Sequence, residues 1–196
     1  MKYGLEKEYF VTNDKDELVL CPKDIPHDGC GFLAEARGEP HEDIVDAVFS
    51  LKASEHKLKM QMKEVGLILV DKPVMVIPKQ LKLKAQREYA KGLTKHQNLY
   101  KFQSHRQKVS EHTAGVHISF TQPKRVYHDS KVVETVNELW DFVQLFKELD
   151  VRFKNDIKLA KRNPGFYEIK NDCRIEYRSL PNSINLFNLI NAIKEI

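Results

Sequence analysis

Four short segments of this chain carry acidic, basic or histidine side chains at every second position: Gly4-Leu5-Glu6-Lys7-Glu8, Leu33-Ala34-Glu35-Ala36-Arg37, Gly115-Val116-His117-Ile118-Ser119 and Arg174-Ile175-Glu176-Tyr177-Arg178. In a β-strand, a period of two puts Glu6 and Glu8 on one face. It does the same for Glu35 with Arg37, His117 with Ser119, and Arg174 with Glu176 and Arg178. The alternate positions are mostly apolar and can face a core. The other face then concentrates carboxylates, arginines and an imidazole, which repel one another or demand a counter-ion. Carboxylates and imidazole are the ligands that Mg²⁺ or Mn²⁺ accept, and no soft-sulfur cysteine pair is present for zinc or an iron–sulfur cluster. Arginines beside them add bidentate forks for phosphate. Carboxylate-bound magnesium next to arginine points to nucleotide-dependent phosphoryl transfer.

The elements that must position these residues follow from patterning. A first strand over residues 3–11 is followed by the polar turn Thr12-Asn13-Asp14-Lys15-Asp16 and by Leu18-Val19-Leu20-Cys21, a hairpin-like start. Pro22, Pro26 and Gly29 mark a loop, residues 32–37 form the second charged strand, and Gly38 and Pro40 close it. Over residues 42–65, Ile44, Val48, Leu51, Leu58, Met62 and Val65 fall at helical spacing, with Glu42 and Asp43 near the positive end. Gly66 stops that helix, and the β-branched runs at 67–70 and 74–77 read as one strand or a broken pair in a buried setting.

Residues 78–113 are basic with no clean period and are read as an insertion, with helix near 81–92. A helix from about Ser130 carries an apolar stripe through Val132, Val133, Val136, Leu139, Trp140, Val143, Phe146 and Leu149. A shorter helix over 153–162 ends at Asn163-Pro164-Gly165. Pro181-Asn182-Ser183 caps a last helix with Ile184, Phe187, Ile190 and Ile193 as its core face. The expected fold class is α+β: a mostly antiparallel sheet with helices packed on one face, leaving the charged face free.

With 196 residues and an ordinary apolar fraction, one domain with a sizeable core is expected, the basic insertion interrupting it at about 78–113. No apolar run reaches the ~20 residues that cross a bilayer. Met1-Lys2-Tyr3-Gly4 leads directly into a strand, without the apolar centre of a signal peptide. Cys21, Cys30 and Cys173 match no paired spacing and read as idle or buried thiols, so a cytoplasmic location is expected. The net charge of +4 is unevenly spread. Lys79, Lys82, Lys84, Arg87, Lys91, Lys95, Lys101, Arg106 and Lys108 stand against Glu88 alone.

The four charged segments, in their order, resemble the carboxylate–amine ligases of the glutamine synthetase and glutamate–cysteine ligase superfamily, which includes small amidoligases of phages and bacteria. Gly4-Leu5-Glu6-Lys7-Glu8 is similar to that family's first-strand Gly-x-Glu-x-Glu, and Asp28 followed by Glu35 resembles its second acidic element. Gly115-Val116-His117-Ile118-Ser119 resembles its Gly-x-His-x-His strand, and Arg174-Ile175-Glu176-Tyr177-Arg178 its closing Arg-x-Glu-x-Arg strand. The resemblance implies a glutamine synthetase-like catalytic domain in which Glu6, Glu8, Glu35, His117 and Glu176 hold Mg²⁺ or Mn²⁺. It also implies that Arg178 and Arg174 contact the transferred phosphoryl group. The implied reaction has ATP phosphorylate a small-molecule or peptide carboxylate, after which an amine attacks the acyl phosphate to give an amide. Ser119 departs from the pattern, standing where the family carries a second histidine on the nucleotide phosphates. Arg37 has no counterpart in the motif and is a candidate substrate or phosphate contact because it shares a face with Glu35.

Each element also has a plainer account. Glu6 and Glu8 suit a solvated edge strand, Glu35 and Arg37 a surface ion pair, and Glu176 a cross-strand charge ladder with its flanking arginines. His117 alone would be a satisfied core histidine, and Asp28 a turn residue. From a different class comes the alternative of a non-catalytic nucleic-acid-binding or host-interaction protein. It would act through residues 79–108, where Tyr89, Tyr100 and Phe102 interleave with lysines. A ligase relative that has lost activity is a third reading, on the strength of Ser119.

Overall fold

The computed structural model describes residues 1–29, 31–89, 97–100, 111–121, 132–170 and 174–196; at 97, 98, 121 and 132–141 only the backbone is described. The fold is α+β, with a mostly antiparallel main sheet. Strand β1 (Lys2–Thr12) lies inside it, paired antiparallel with β2 (Leu33–Arg37) on one side and β7 (Gly115–Thr121) on the other. Beyond β7 come β9 (Ile175–Pro181), β8 (Phe166–Ile169) and, at the edge, β5 (Gln97–Asn98). The last residues of β1 pair with β3 (Ile68–Val70), Phe10 opposite Val70. A separate two-stranded sheet joins β4 (Val74–Val76) to β6 (Glu111–Thr113).

The described helices are α1 (Ile44–Glu64), α2 (Lys79–Glu88), α3 (Val132–Arg152), α4 (Lys154–Leu159) and α5 (Leu186–Glu195). Alternation along the strands decides what these helices cover. Leu5, Tyr9, Val11, Ala34, Ala36, Val116, Ile118, Phe120 and Tyr177 point inward and pack with Ile44, Leu51, Leu58 and Met62 of α1, Phe146 and Leu149 of α3, and Leu189 of α5. Asp43 caps α1, its carboxylate accepting the Val45 N–H at 2.7 Å. Lys7 is the exception on this inward face. Its ammonium is buried, 2.8 Å from Asp71 and 3.6 Å from Glu55 of α1, and Glu55 also accepts from the Tyr9 hydroxyl.

Several expectations change. Leu18-Val19-Leu20-Cys21 forms no strand: it makes the single bridge Leu18 to Thr12, with the Val19 N–H donating to the Val11 carbonyl at 3.0 Å, and from Phe10 back that flank of β1 is taken by β2. The runs at β3 and β4 lie at sheet edges, with Ile68 and Val76 exposed, so their β-branched residues mark edge strands and not a buried pair. The cap of α5 is Asn185, which accepts from the Phe187 and Asn188 N–H groups, so the buried stripe shifts to Leu186, Leu189, Ala192 and Ile193 and leaves Phe187 exposed.

The charged face is also not wholly open. Two residues beyond Glu8 and Glu35, Phe10 and Leu33 continue the same strand faces and pack under Ile77, Ala85 of α2 and Ala114. Within residues 78–113, α2 covers this patch, β5 pairs with β8 of the main sheet and β6 pairs with β4. The expected helix start at Ser130 and extension to Gly92 fall outside the described residues, as do Cys30 and Cys173; Cys21 is buried.

Gly38 fixes the distance between β2 and α1: a Cβ added there would sit 2.7 Å from the Leu51 backbone nitrogen, and backbone cannot rotate away as a side chain can. Gly38→Ala should therefore lower stability by roughly 1–3 kcal/mol through overpacking. Urea unfolding should show a lower midpoint with an unchanged slope.

Candidate metal centre

The strand register brings the predicted residues together. Glu6 stands opposite Arg37 on β2 and opposite His117 on β7, while Glu8 faces Glu35. Ser119 stands opposite Gly4 on one side and Glu176 on the other, and Glu176 in turn faces Glu168 on β8. Between the pairs Val116–Leu180 and Ile118–Tyr177 the β7–β9 register shifts, so Arg178 and Ser179 together oppose the single residue His117. Such a bulge adds local twist and re-aims a side chain. Here the extra residue, Ser179, turns its hydroxyl to accept the Phe166 N–H at 3.0 Å, and Arg178 stays on the face of Glu176.

At the centre is the imidazole of His117, almost fully buried. Its Nδ1 lies 3.5 Å from Glu176 and 3.9 Å from Glu6, and its Nε2 lies 3.6 Å from Glu8. One donor atom from each of Glu6, His117 and Glu176 lies within 4.8 Å of the others. Neither ring nitrogen has a hydrogen-bond partner among the described residues. Leaving a buried polar group unsatisfied costs ~1–3 kcal/mol, so this arrangement begs for a partner between the nitrogens and the carboxylates. Donors roughly 3–4 Å apart are what a cation with bonds of ~2.1 Å gathers around itself, and oxygen-rich ligation with one imidazole suits Mg²⁺ or Mn²⁺. The residues present fit such an ion.

Burial sets the protonation states. Desolvation, aided by the Arg178 charge, pushes the His117 pKa well down, so its imidazole is neutral and its lone pair available. Desolvation raises the Glu8 carboxyl to about 8, against the pull of Arg162 and Arg178, and Glu35 shifts in the same direction for the same first cause. One Glu8 oxygen accepts the Gly115 N–H at 2.6 Å.

Around this ring the charges alternate. Arg37 binds Glu35 and lies 3.7 Å from Glu6 with its outer half exposed, and Arg178 bridges Glu176 and Glu168. The Ser119 hydroxyl reaches Glu176 at 3.3 Å. Arg174 stands immediately before β9, its carbonyl accepting the Lys170 N–H at 2.9 Å, and the cation that reaches Glu176 from that end is Lys170, at 3.3 Å. Asp28 serves its loop, accepting the Leu33 N–H at 3.0 Å.

Sequence reasoning missed three residues. Glu168 and Lys170 follow the same period of two, in Tyr167-Glu168-Ile169-Lys170, and that alternation was the available signal. Arg162 lies past the end of α4, outside any strand, and no periodicity marks it. Its guanidinium donates to the Arg178 carbonyl at 2.5 Å and to the Thr113 hydroxyl at 3.3 Å. Of the basic segment, Lys79, Lys84 and Arg87 are exposed on α2; Lys91, Lys95, Lys101, Arg106 and Lys108 lie outside the described residues. No helix among the described residues is long and apolar enough to cross a membrane. No protein family, curated protein or solved structure matches this chain.

The buried acids and imidazole make metal-free stability depend on pH in opposite senses. A lowered His117 pKa contributes stability that is present above its unfolded value near 6.5 and lost below it. A raised Glu8 pKa contributes stability that is complete below its unfolded value near 4.5 and is lost as pH climbs toward about 8. Between pH 6.5 and 8 the glutamate effect therefore dominates, and in a metal chelator the protein should lose roughly 1–2 kcal/mol over that interval. Urea midpoints at the two pH values check this, and Glu8→Gln should flatten the difference.

Proposed function

We propose that this chain is an ATP- and Mg²⁺-dependent carboxylate–amine ligase of the glutamine synthetase-like kind, joining a small-molecule or peptide carboxylate to an amine through an acyl phosphate. The observation that carries the reading is the buried, unbonded imidazole of His117 ringed by Glu6, Glu8 and Glu176, with Arg37 and Arg178 on the same face. Glu6, His117 and Glu176 would hold the divalent cation, with Glu8 and Glu35 beside them. A bound divalent cation supplies positive charge against phosphoryl oxygens.

The chain's own groups do the rest. Arg178 is positioned by two carboxylates, so its guanidinium is held in place before any phosphate arrives, and pre-set donors cost little reorganisation. Arg37, half exposed, is placed to grip a carboxylate or phosphate entering from solvent. The Ser119 hydroxyl, 3.3 Å from Glu176, stands where the resembled family carries a second histidine and would offer a shorter contact there. In the reaction a substrate carboxylate oxygen attacks the terminal phosphorus of ATP and ADP leaves. The amine then attacks the acyl carbon and phosphate leaves. A carboxylate is a poor electrophile, which is why activation by phosphorylation is needed before the amine can attack.

Thermal unfolding with and without Mg²⁺ plus a non-hydrolysable ATP analogue tests this. A ligand at a hundredfold excess over its dissociation constant stabilises the folded state by ~2.7 kcal/mol. Wild type should gain melting temperature only when both are present, and Glu176→Gln should lose the gain. Equal melting temperatures at saturating nucleotide, or a gain that survives in Glu176→Gln, would sink the proposal.

A further inference from the structure

Arg37 and Arg178 of the charged strands are each committed to two carboxylates, Arg37 to Glu35 and Glu6, Arg178 to Glu176 and Glu168. Arg162 is not. It has no carboxylate within 4.0 Å among the described residues, and its guanidinium donates to two neutral groups, the Arg178 carbonyl at 2.5 Å and the Thr113 hydroxyl at 3.3 Å. These bonds fix the plane of the fork and leave its other N–H donors available. Desolvation lowers the Arg162 pKa by more than the Glu8 charge restores. A guanidinium remains charged regardless, so this one is an underpaired cation.

The end of α4 aims it. Lys161 takes a left-handed φ of +53°, its N–H donates to the Lys158 carbonyl and the Arg162 N–H to the Ile157 carbonyl, both at 3.0 Å, which is a Schellman turn. The Lys161 ammonium is held in turn by Glu111 at 2.6 Å. Chain leaving the helix in this direction lays the Arg162 guanidinium over Gly115, where an added Cβ would lie 2.6 Å from it. Gly115 and His117 share the charged face of β7, two residues or about 6.7 Å apart along the strand. The Arg162 charge accordingly acts on both Glu8 and His117. An underpaired guanidinium this close to a carboxylate–imidazole centre calls for an anion that touches both, and a phosphoryl group has oxygens enough to face each of them.

We propose that Arg162 is a catalytic residue of the site, its fork gripping the terminal phosphoryl group of ATP from the side of Gly115; this rests on the ligase reading. As the substrate carboxylate oxygen bonds to phosphorus, the bond from phosphorus to the ADP oxygen breaks and its electron pair leaves with ADP. The transferred group keeps its three peripheral oxygens, and a guanidinium already fixed beside them stabilises their charge without reorganising. Gly115, with no side chain, leaves the room in which the fork lies.

Isothermal titration of the full chain with Mg²⁺ and the non-hydrolysable triphosphate AMP-PNP, and separately with Mg²⁺ and ADP, tests it in two variants. Arg162→Gln removes the fork but also gives up its bonds to the Arg178 carbonyl and Thr113. Gly115→Ala keeps the arginine and displaces it: the atoms nearest the new Cβ are the end of a flexible side chain, and the Gly115 φ is not left-handed. Each variant should weaken AMP-PNP about tenfold, or 1.4 kcal/mol, and leave ADP within about twofold of wild type. Retained ADP affinity shows that the rest of the site is folded. The proposal is overturned if either variant binds AMP-PNP as wild type does, or if AMP-PNP and ADP are weakened alike; both results leave the ligase reading standing. Wild type that binds neither nucleotide would overturn that reading and this proposal together.

Discussion

A neutral imidazole sealed among carboxylates is the constraint on which the rest of this structure depends. His117 is held by β7 at the middle of the sheet, and the acids that surround it come from strands on either side: Glu6 and Glu8 from β1, Glu176 from β9. Only a strand with partners on both flanks can put a side chain at such a crossing point, and only an antiparallel register keeps opposing residues on one face. A one-residue slip of β1 against β7 would turn Glu6 and Glu8 into the apolar core and Leu5 onto the charged face. The apolar packing of Leu5, Tyr9 and Val11 under α1 and α3 thus enforces the chemistry of the opposite face.

The same strand shows how much charge this fold carries inside. Glu6, Lys7 and Glu8 are consecutive, yet Lys7 points away from its neighbours to a buried pairing with Glu55 and a half-exposed one with Asp71, while the two glutamates face the imidazole. Breaking one member of a buried pair costs more than the pair contributes, so β1 is pinned to α1 by charge as well as by packing. The bulge in β9 serves the same end: it spends Ser179 on the β8 connection and leaves Arg178 beside Glu176, where a cation offsets part of the acid surplus. A divalent ion would offset the remainder.

Much of this was legible because period-two alternation is a local property of sequence. Glu6, Glu8, Glu35, Arg37, His117, Glu176 and Arg178 all share the face that alternation assigns them, and the α1 stripe from Ile44 to Met62 is buried as its spacing requires. What was not legible depends on partners distant in sequence. Lys7 occupies an inward position that alternation marks as apolar, and only the approach of Glu55, 48 residues further on, makes it tolerable. Arg162 sits in a turn with no period at all, and its place over Gly115 follows from how the α4 segment crosses the sheet. Asn182 reads as part of a helix cap. In the fold it is buried, its amide donating to the Glu8 carbonyl at 3.0 Å and the Lys72 carbonyl at 3.1 Å, two groups brought near only by the finished sheet.

The most direct test of the account is anomalous diffraction at the manganese edge from crystals grown with Mn²⁺. The account predicts an anomalous peak on the charged face of the sheet with Glu6, His117 and Glu176 among its ligands, lost in crystals of His117→Ala. Manganese bound elsewhere, or a clean map in which the His117 nitrogens carry only water, would contradict it.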